Sequence, residues 1–368
     1  MTVMVVRAVD SESEPTPDGK ASANRSSRAR APRRAASAVA IAVCLAVIAG
    51  MWWWRMGAVT VPANAPQLAA EVHAVMRDRL LAATVIGLAL GAAGVVLRTA
   101  THNPLADPEI TGVNSGAAFG AVVGTTITGS ISGAAVLPGA LVGAGLAALI
   151  TVGIGLRANS ADPTGAAAVQ RMILLGIAIS ALFSALTAVT LVIDEAQLST
   201  VLSWLSGRLG GVRLADIIPC IIAVVVVVPA LWCAGRGLDT LAAGDALASS
   251  VGANPRFTRM LAVLGAVVLV APAVAAAGPI GFLGLMAAVV AHRVAGPRHR
   301  LGLLVAPVVG AAVLLVADAT SQALWAPAET PVGVVTSIAG VPLLLWGINR
   351  LQPRKKVRVG NAVWGGRQ

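Results

Sequence analysis

Few residues in this chain could do acid–base, nucleophilic or metal chemistry, and those few are scattered. All three lysines lie near the termini, so the sequence has no G-x-x-x-x-G-K-[ST] phosphate-binding loop. The three cysteines lie singly inside apolar runs, where inert core thiols are the usual outcome. No metal-ligand spacing joins the four histidines, which are His73, His102, His292 and His299. We therefore expect no enzymatic activity, no metal site and no cofactor in this chain.

One acidic side chain, Asp318, lies well inside an apolar segment. A charge at mid-bilayer costs about 2.5–3.5 kcal/mol, so an acid there is a candidate for a proton or ion relay. The nearby polar residues Thr320, Ser321 and Gln322 could instead satisfy it through hydrogen bonds. A structural role is favoured, because Asp318 is isolated from other intramembrane acids.

The composition predicts a membrane protein. Of 368 residues, 57% are hydrophobic and only 12% are charged, whereas a soluble domain has about 25% charged residues. The net charge of +11 comes from residues in the tails and in short loops between apolar runs. That distribution indicates membrane topology and argues against nucleic-acid binding.

Ten apolar segments are close to the length needed to cross a bilayer core of about 30 Å. They are Ser37–Trp54, Leu80–Thr99, Gly112–Ile127, Ala134–Leu156, Met172–Ile193, Leu214–Ala234, Met260–Ala277, Pro279–Val294, Leu303–Trp325 and Pro331–Ile348. With the N-terminus inside, all but five of the 27 lysines and arginines fall in cytoplasmic segments, as the positive-inside rule requires. We predict an all-α polytopic membrane protein with ten transmembrane helices and both termini cytoplasmic.

The segments outside this ten-helix domain are basic. Residues 1–36 are rich in Arg, Ser and Pro and are predicted to be a disordered cytoplasmic tail. A signal peptide is the alternative, but the next apolar run is long for one and ends in three tryptophans, which suits an interfacial belt. The membrane domain is predicted to span 37–350, and a second basic cytoplasmic tail follows at 351–368.

Small residues recur at helical spacing and predict close helix packing. Four glycines stand every four residues, at Gly112, Gly116, Gly120 and Gly124. The same packing role is assigned to three glycines of the AGPIGFLGL segment, Gly278, Gly281 and Gly284. Three hydroxyl residues share one face of the fifth span, Ser180, Ser184 and Thr187. They could line a wet pathway or bond back to their own helix.

Three inner loops look ordered, which favours a soluble partner on that side. They are Arg98–Gly112, Arg157–Arg171 and the stretch that begins at Arg236. The last has the pattern of two short amphipathic helices, Leu238–Ser249 and Pro255–Met260, joined by the turn 251–254. Loops that merely connect spans would be shorter.

Four segments of the chain together resemble the FecCD-like family, the permease subunits of ABC importers for ferric siderophores, haem and cobalamin. They are Leu80–Val122 with NPLADP and GVNSGAAFGA, Leu174–Gly211, Leu238–Leu285 with GPIGFLGL, and Ala317–Trp346 with PVGVVTSIAG. They occur in family order and cover nearly everything between residues 75 and 350. The resemblance implies the type II ABC importer permease fold, which also has ten spans per subunit.

The resemblance also implies roles for individual residues. A coupling element at 236–258 would dock into the ATPase through Leu241, Gly244, Asp245, Ala246, Ser249, Val251, Gly252 and Asn254. Val169 and Gln170 correspond to the cytoplasmic gate. Outward-facing arginines would contact acidic lobes of a binding protein, and the assigned residues are Arg77, Arg79 and Arg208. The family's Pro-His pair after GPIGFLGL is replaced here by Ala288 and Val289, which should straighten the eighth span.

The function implied is import of an iron chelate, a ferric siderophore rather than haem or cobalamin, through a multi-pass protein of the bacterial plasma membrane. The expected partners are cytoplasmic ATPases that hold ATP–Mg, an extracytoplasmic binding protein of the lipoprotein type and a second permease subunit, identical or paralogous. The competing hypothesis is a secondary transporter driven by an ion gradient, because spans two to five and seven to ten run in opposite senses. Such a transporter would normally carry more intramembrane acids than Asp318.

Overall fold

The computed structural model describes residues 30–59, 66–104, 106–107, 112–129, 133–155, 166–193, 202–324 and 330–351. The elements in this part of the chain are helices. In order they are α1 Arg30–Gly57, α2 Pro66–Ala100, α3 Val113–Thr128, α4 Gly133–Gly155, α5 Ala166–Ile193, α6 Leu214–Cys233, α7 Gly235–Ala242, α8 Asp245–Ser250, α9 Pro255–Ala277, α10 Leu283–Ala295, α11 His299–Leu324 and α12 Val332–Leu351.

The long helices agree with the membrane class predicted from composition. Among the described residues, seven helices are long and apolar enough to cross a bilayer, namely α1, α2, α4, α5, α6, α9 and α11. The remaining predicted spans overlap α3, α10 and α12, of which α3 has 16 residues and α10 has 13. The all-helical, multi-pass architecture is thus confirmed, while the full count of ten spans and the side of the termini stay predictions.

The first helix begins earlier than the sequence indicated. α1 starts at Arg30, so the prediction of a disordered tail is wrong for residues 30–36. Three alanines in this stretch favour helix, and Pro32 falls in the first turn, where a proline is tolerated. The rest of that tail and residues 352–368 of the C-terminal tail lie outside the described residues.

Helix α2 forms the centre of the domain. Leu80, Ile86 and Leu97 are fully or almost fully buried along its length. Its glycines let two other helices approach backbone to backbone: a Cβ on Gly87 would lie 2.5 Å from the Cα of Ala311 in α11, and one on Gly94 would lie 2.1 Å from the carbonyl oxygen of Gly284 in α10. α2 is therefore enclosed by other helices rather than by lipid.

The glycine repeat of α3 packs against α4, as its spacing predicted. A Cβ on Gly120 would lie 2.0 Å from the carbonyl oxygen of Gly139, and one on Gly116 would lie 2.4 Å from that of Gly143. Gly124 lies at the end of the same contact, its Cα 3.2 Å from the position of a Cβ on Gly139. Because a methyl group cannot fit at these positions, the two helices cross with their backbones in contact.

The other assigned glycines differ from one another in what surrounds them. Gly112 precedes α3 with φ of 74° and faces Gly176 of α5. Gly278 ends α9 with φ of 74°, and a Cβ there would lie 2.0 Å from the carbonyl oxygen of Trp204. Gly284 packs against α2, whereas Gly281 is half-buried in the connection between α9 and α10.

Candidate coupling site and translocation path

The predicted coupling element consists of α7, α8 and the first turn of α9. Leu238–Ser249 is not a single helix, because Gly244 has φ of 112° and separates α7 from α8. Pro255–Met260 is likewise not a separate piece but the start of the 23-residue helix α9. That start is fixed by Asn254, whose side chain accepts a hydrogen bond from the backbone N–H of Phe257 at 3.1 Å. The sequence interpretation was therefore wrong about these helix boundaries.

A buried ion pair attaches α8 to the membrane helices. Both terminal nitrogens of Arg259 donate to the carboxylate of Asp245, at 2.8 and 3.0 Å. Its Nε donates at 2.9 Å to the carbonyl oxygen of Ala100, the last residue of α2. Arg259 is 2% exposed and Asp245 7%. One guanidinium thus joins the coupling element to the C-terminal end of α2, with two bonds in the strong bidentate geometry. We call this end of the helix bundle the inner end, as the charge distribution predicts, and the opposite end the outer end.

Two further contacts attach α7 to the same end of α2. The Nε2 atom of His102 lies 2.8 Å from the carbonyl oxygen of Leu241. His299, the first residue of α11, lies between Asp239 and Thr99: its Nδ1 is 2.8 Å from the Asp239 carboxylate and its Nε2 contacts the Thr99 hydroxyl. The contacts of Arg259, His102 and His299 thus each connect the coupling element to residues 99–102. These contacts attach the coupling element to the C-terminal end of α2.

The pKa of Asp239 reflects this attachment. Partial burial would raise the pKa of its carboxyl group. Hydrogen bonds from the side chain and backbone of His299, with the charges of His299 and Arg298, outweigh that effect and leave the pKa below its ordinary value. Asp239 is thus held as a carboxylate at the inner end of the protein.

The outward side of the coupling element is apolar and exposed. Leu247 is 54% exposed, Val251 64% and Phe257 57%. Of the eight assigned coupling residues, Leu241 and Asp245 are buried anchors and Gly244 is the half-buried break. The exposed residues among the eight are Ala246, Ser249, Val251, Gly252 and Asn254. We call Leu247, Val251 and Phe257 the apolar patch; Leu247 and Phe257 were not predicted, although both are large apolar residues in an otherwise polar stretch.

The two assigned gate residues lie next to the coupling element. Val169 and Gln170, near the start of α5, line a cavity of about 630 Å³ together with Gly244, Asp245 and Ala246. We call it the gate cavity. The structure therefore brings together two groups of residues that are some 75 positions apart in sequence. Their shared cavity is a geometric observation, and the gating role itself stays a prediction.

A second cavity, of about 660 Å³, lies between α3 and α5. The three hydroxyl residues predicted to share a face, Ser180, Ser184 and Thr187, all line it. Thr187 donates to its own helix at the carbonyl of Phe183, as one of the two interpretations expected. Asn114 and Ser115 line the same cavity and were not singled out from the sequence, and the Oδ1 atom of Asn114 is buried without a hydrogen-bond partner among the described residues. This weakly polar surface is a candidate wall of the translocation path.

The three assigned docking arginines have different environments at the outer end. Arg77 is exposed and forms a 2.9 Å ion pair with Asp78. Arg208 is half-buried and donates to the hydroxyl of Ser203. The prediction that Arg79 faces outward is wrong, because it is 8% exposed and forms an ion pair with Asp318. Arg79 lies within the enclosed part of α2, where an unpaired charge would be costly.

The Arg79–Asp318 pair is the outer counterpart of the pair at Arg259. Nε and Nη2 of Arg79 lie 3.0 and 2.9 Å from Oδ1 of Asp318, which is 1% exposed. Gln322 donates to the second carboxylate oxygen at 2.8 Å and also contacts Arg55 of α1. Of the neighbours expected to satisfy Asp318, Gln322 does so; Thr320 bonds its own helix, and Ser321 donates to the backbone carbonyl of Asp318. The structural role favoured for Asp318 fits this network.

The described residues include no group of three or more His, Cys, Asp or Glu side chains that could hold a metal ion. The features in this part of the chain are instead a fastened inner element, a patch of exposed apolar side chains and cavities between helices. These features were the ones predicted for a coupling element and a translocation path.

Comparison with known proteins agrees with that description. Residues 38–350 match the FecCD transport family, which is most of the chain. The chain belongs to this family. The matched range coincides, within one residue at the start, with the membrane domain predicted at 37–350.

The relatives of this FecCD family member are permeases. It is 34% identical over 306 residues to the Fe(3+) dicitrate transport system permease protein FecD of Escherichia coli (strain K12), covering 81% of this chain and 93% of the relative. It is 34% identical over 328 residues to the ferric enterobactin transport system permease protein FepG of the same organism, covering 85% and 96%. The cobalamin import system permease protein BtuC of Halobacterium salinarum is 34% identical over 282 residues, covering 76% and 74%.

A solved structure shares the fold. It is described as an inward-facing conformation of a metal-chelate type ABC transporter, and it superposes with a TM-score of 0.74 at 24% identity, covering 86% of this chain and 100% of that chain. The likeness supports the helix arrangement given above for the FecCD family member.

Proposed function

We propose that this chain is the transmembrane permease subunit of an ABC importer that takes up an iron chelate. The observation that carries the proposal is the coupling element, which is fastened to α2 through Arg259 and His102 and presents an apolar patch on its other side. Exposed clusters of large apolar side chains at the inner end of a membrane protein favour a protein partner. We assign that partner as a separate cytoplasmic ATPase, which would hold ATP–Mg.

The substrate class follows from the relatives and suits the cavities. The names of FecD and FepG specify ferric dicitrate and ferric enterobactin, and that of BtuC specifies cobalamin. We favour a ferric siderophore, with cobalamin or haem as the other bulky chelates. Small polar groups such as Ser180, Ser184 and Asn114 line the cavity between α3 and α5. Such a surface would let a large chelate pass without binding it tightly.

The proposed assembly has two permease subunits that enclose the path, each with ten spans and cytoplasmic termini, in a bacterial plasma membrane. A binding protein, of the lipoprotein type, would deliver the chelate to the outer end, where Arg77 and Arg208 are the remaining docking candidates. ATP binding would close the ATPase pair beneath the coupling elements. Because the ATPases bind this surface differently in their open and closed states, they can shift the permease between outward- and inward-open states.

The competing proposal, a secondary transporter, rests on the opposite senses of spans two to five and seven to ten, with Asp318 as weak additional support. Such a transporter would normally carry intramembrane acids or broken helices at the midplane, and Asp318 was the candidate acid. In the structure this carboxylate is bonded to Arg79 and Gln322. A carboxylate that is buried and already occupied by these two partners has a structural role, which weakens the case for an ion or proton relay.

The test is a charge placed on the apolar patch. Leu247→Asp should leave the folded permease intact, because this side chain is exposed, yet it should prevent co-purification of the ATPase and abolish chelate uptake. The matched control is Leu68→Asp, the same change at a residue that is 50% exposed near the start of α2. The control should retain the ATPase. Unchanged ATPase binding and uptake in Leu247→Asp would contradict the proposal.

A further inference from the structure

A third cavity, of about 410 Å³, lies on the other side of the coupling element, between the inner ends of α2, α10 and α11. It shares His102 with the gate cavity and is otherwise lined by different residues. Its lining includes five basic side chains and no acidic one: Arg98, His102, His292, Arg298 and His299. We call it the basic cavity.

The positive charge of the basic cavity is incompletely compensated within the described residues. The Nη1 atom of Arg98 is buried and has no hydrogen-bond partner there. The acidic side chain that reaches this cluster is Asp239, which already binds the backbone N–H and the ring of His299. A buried guanidinium nitrogen without an acceptor is costly, so the cavity is suited to receive an anion.

Two neighbouring elements add to the positive potential. α11 begins at His299, so its first backbone N–H groups and the positive end of its helix dipole lie at the wall. The guanidinium of Arg33 in α1 packs against Gly296, another residue of the lining, where a Cβ would lie 2.5 Å from Nη1. The potential therefore comes from four helices, α1, α2, α10 and α11, that converge on one space.

Most of the remaining lining is apolar, and it indicates which kind of molecule carries the anionic group. Val95, Ala288 and Ala291 line the basic cavity beside the cations. These residues belong to helices that cross the membrane region. The cavity therefore combines basic side chains with an apolar wall at the inner end of the bundle. Basic pockets between transmembrane helices on the cytoplasmic side are the sites at which anionic lipid headgroups bind.

We propose that the basic cavity binds a phosphate group, supplied by an anionic phospholipid of the cytoplasmic leaflet or by free phosphate. The assignment of this end to the cytoplasm rests on the proposed function. Arg98 and Arg298 provide the charge-assisted hydrogen bonds, and the apolar wall accommodates the first part of an acyl chain. Because Ala242 of α7 also lines the cavity, the bound group fills the space between the coupling element and α10.

The experiment measures lipid retention directly and does not depend on transport. The purified full-length chain is exchanged into micelles containing phosphatidylglycerol or phosphatidylcholine, and bound lipid is counted by native mass spectrometry. The wild type should retain phosphatidylglycerol in preference, and Arg98→Gln combined with Arg298→Gln should reduce that preference about tenfold or more, since each surface cation contributes about fivefold. Arg34→Gln, the loss of an exposed arginine outside the cavity, is the matched control and should behave as the wild type.

A second arm distinguishes the source of the phosphate. Inorganic phosphate is titrated into the wild type in neutral detergent while the Tm is followed. A Tm rise without preferential lipid retention, absent in the double variant, assigns the cavity to free phosphate. If the wild type prefers neither lipid and phosphate leaves its Tm unchanged, the inference is wrong, even where the double variant fails to fold. Equal retention by the folded double variant and the wild type would also overturn it.

Discussion

Among the described residues, a buried Arg–Asp pair lies at each end of the domain, inner and outer, and the two pairs are built differently. At the outer end Arg79 and Asp318 lie on two long helices, α2 and α11, whose backbones touch at Gly87. At the inner end Asp245 lies on the six-residue helix α8, and Arg259 joins it to the terminal carbonyl of α2. The first pair connects helices that are already packed together. The second is part of what holds a short, largely exposed element in place.

This difference in construction suggests that the two Arg–Asp pairs serve different functions. A charge enclosed among long helices cannot reach water unless the bundle opens, so loss of its partner should destabilise the whole domain. A short surface helix can detach locally and hydrate its charges while the rest stays folded. The outer pair is therefore expected to stabilise the fold, and the inner pair to transmit motion.

The largest effect is expected from Asp318→Ala. This change leaves Arg79 buried without its carboxylate, and breaking such a pair costs about 3–5 kcal/mol. The folded yield and the Tm in detergent, measured by fluorescence-detected size exclusion, should both fall sharply. Thr320→Ala, on the exposed side of the same helix, is the control and should leave both unchanged. A wild-type Tm for Asp318→Ala would show that the outer pair does not stabilise the fold.

Arg259→Gln should have a smaller effect on the fold and a large one on function. The glutamine cannot supply both the bidentate contact to Asp245 and the bond to Ala100. The Tm should fall less than in Asp318→Ala, whereas chelate uptake per ATP hydrolysed in reconstituted vesicles should be lost. The exposed Arg256→Gln, three residues earlier in α9, serves as the control for folding. If uptake stayed tightly coupled to hydrolysis, the inner pair would not be transmitting motion.

Charge reversal separates the two pairs further. In Arg79→Asp with Asp318→Arg the two charges are still neighbours, so much of the lost Tm should return. In Asp245→Arg with Arg259→Asp the pair can also form, but an aspartate at 259 cannot donate to the Ala100 carbonyl. We expect this reversal to restore little uptake. Equal recovery in both double variants would remove the distinction between the two ends.

The smallest effect concerns pH and Asp239. Its carboxyl pKa is lower in the folded protein than its ordinary value of about 3.9. The carboxylate therefore contributes stability above the ordinary pKa and loses that contribution as pH falls through the lower, folded value. The Tm difference between wild type and Asp239→Asn should be modest at pH 5, because the group is partly exposed. It should shrink below about pH 4; a difference that grew on acidification would contradict this assignment.

The sequence predicted helical elements and local packing better than contacts between distant residues. The four-residue glycine spacing of α3 indicated a close helix contact, but nothing in that pattern named Gly139 and Gly143 as the residues opposite. Arg79 and Asp318 are 239 positions apart, so no local signal joined them. Family resemblance placed Arg79 outside, and only the three-dimensional arrangement of α2 and α11 showed that two charges near the outer ends of apolar runs meet.

The sequence likewise predicted only part of the inner site. Spacing and turn residues identified a compact element near 236–258, because Asn254 and Pro255 are recognisable helix-start signals. The break at Gly244 was missed, since a single glycine within an amphipathic pattern does not by itself end a helix. Arg259 looked like one more cytoplasmic charge; its role depends on the end of α2, which the sequence does not place beside α8.

Helix α2 has 35 residues with no proline after its first position, whereas α4, α6, α9, α11 and α12 each contain an internal proline. A helix without an internal proline lacks the commonest cause of a sharp kink, so a push at Ala100 should be transmitted along it towards Arg79. Motion at one face of the membrane would then reach the other face along this single helix. A tilt of α2 caused by the ATPase would therefore also move the outer surface on which the binding protein docks.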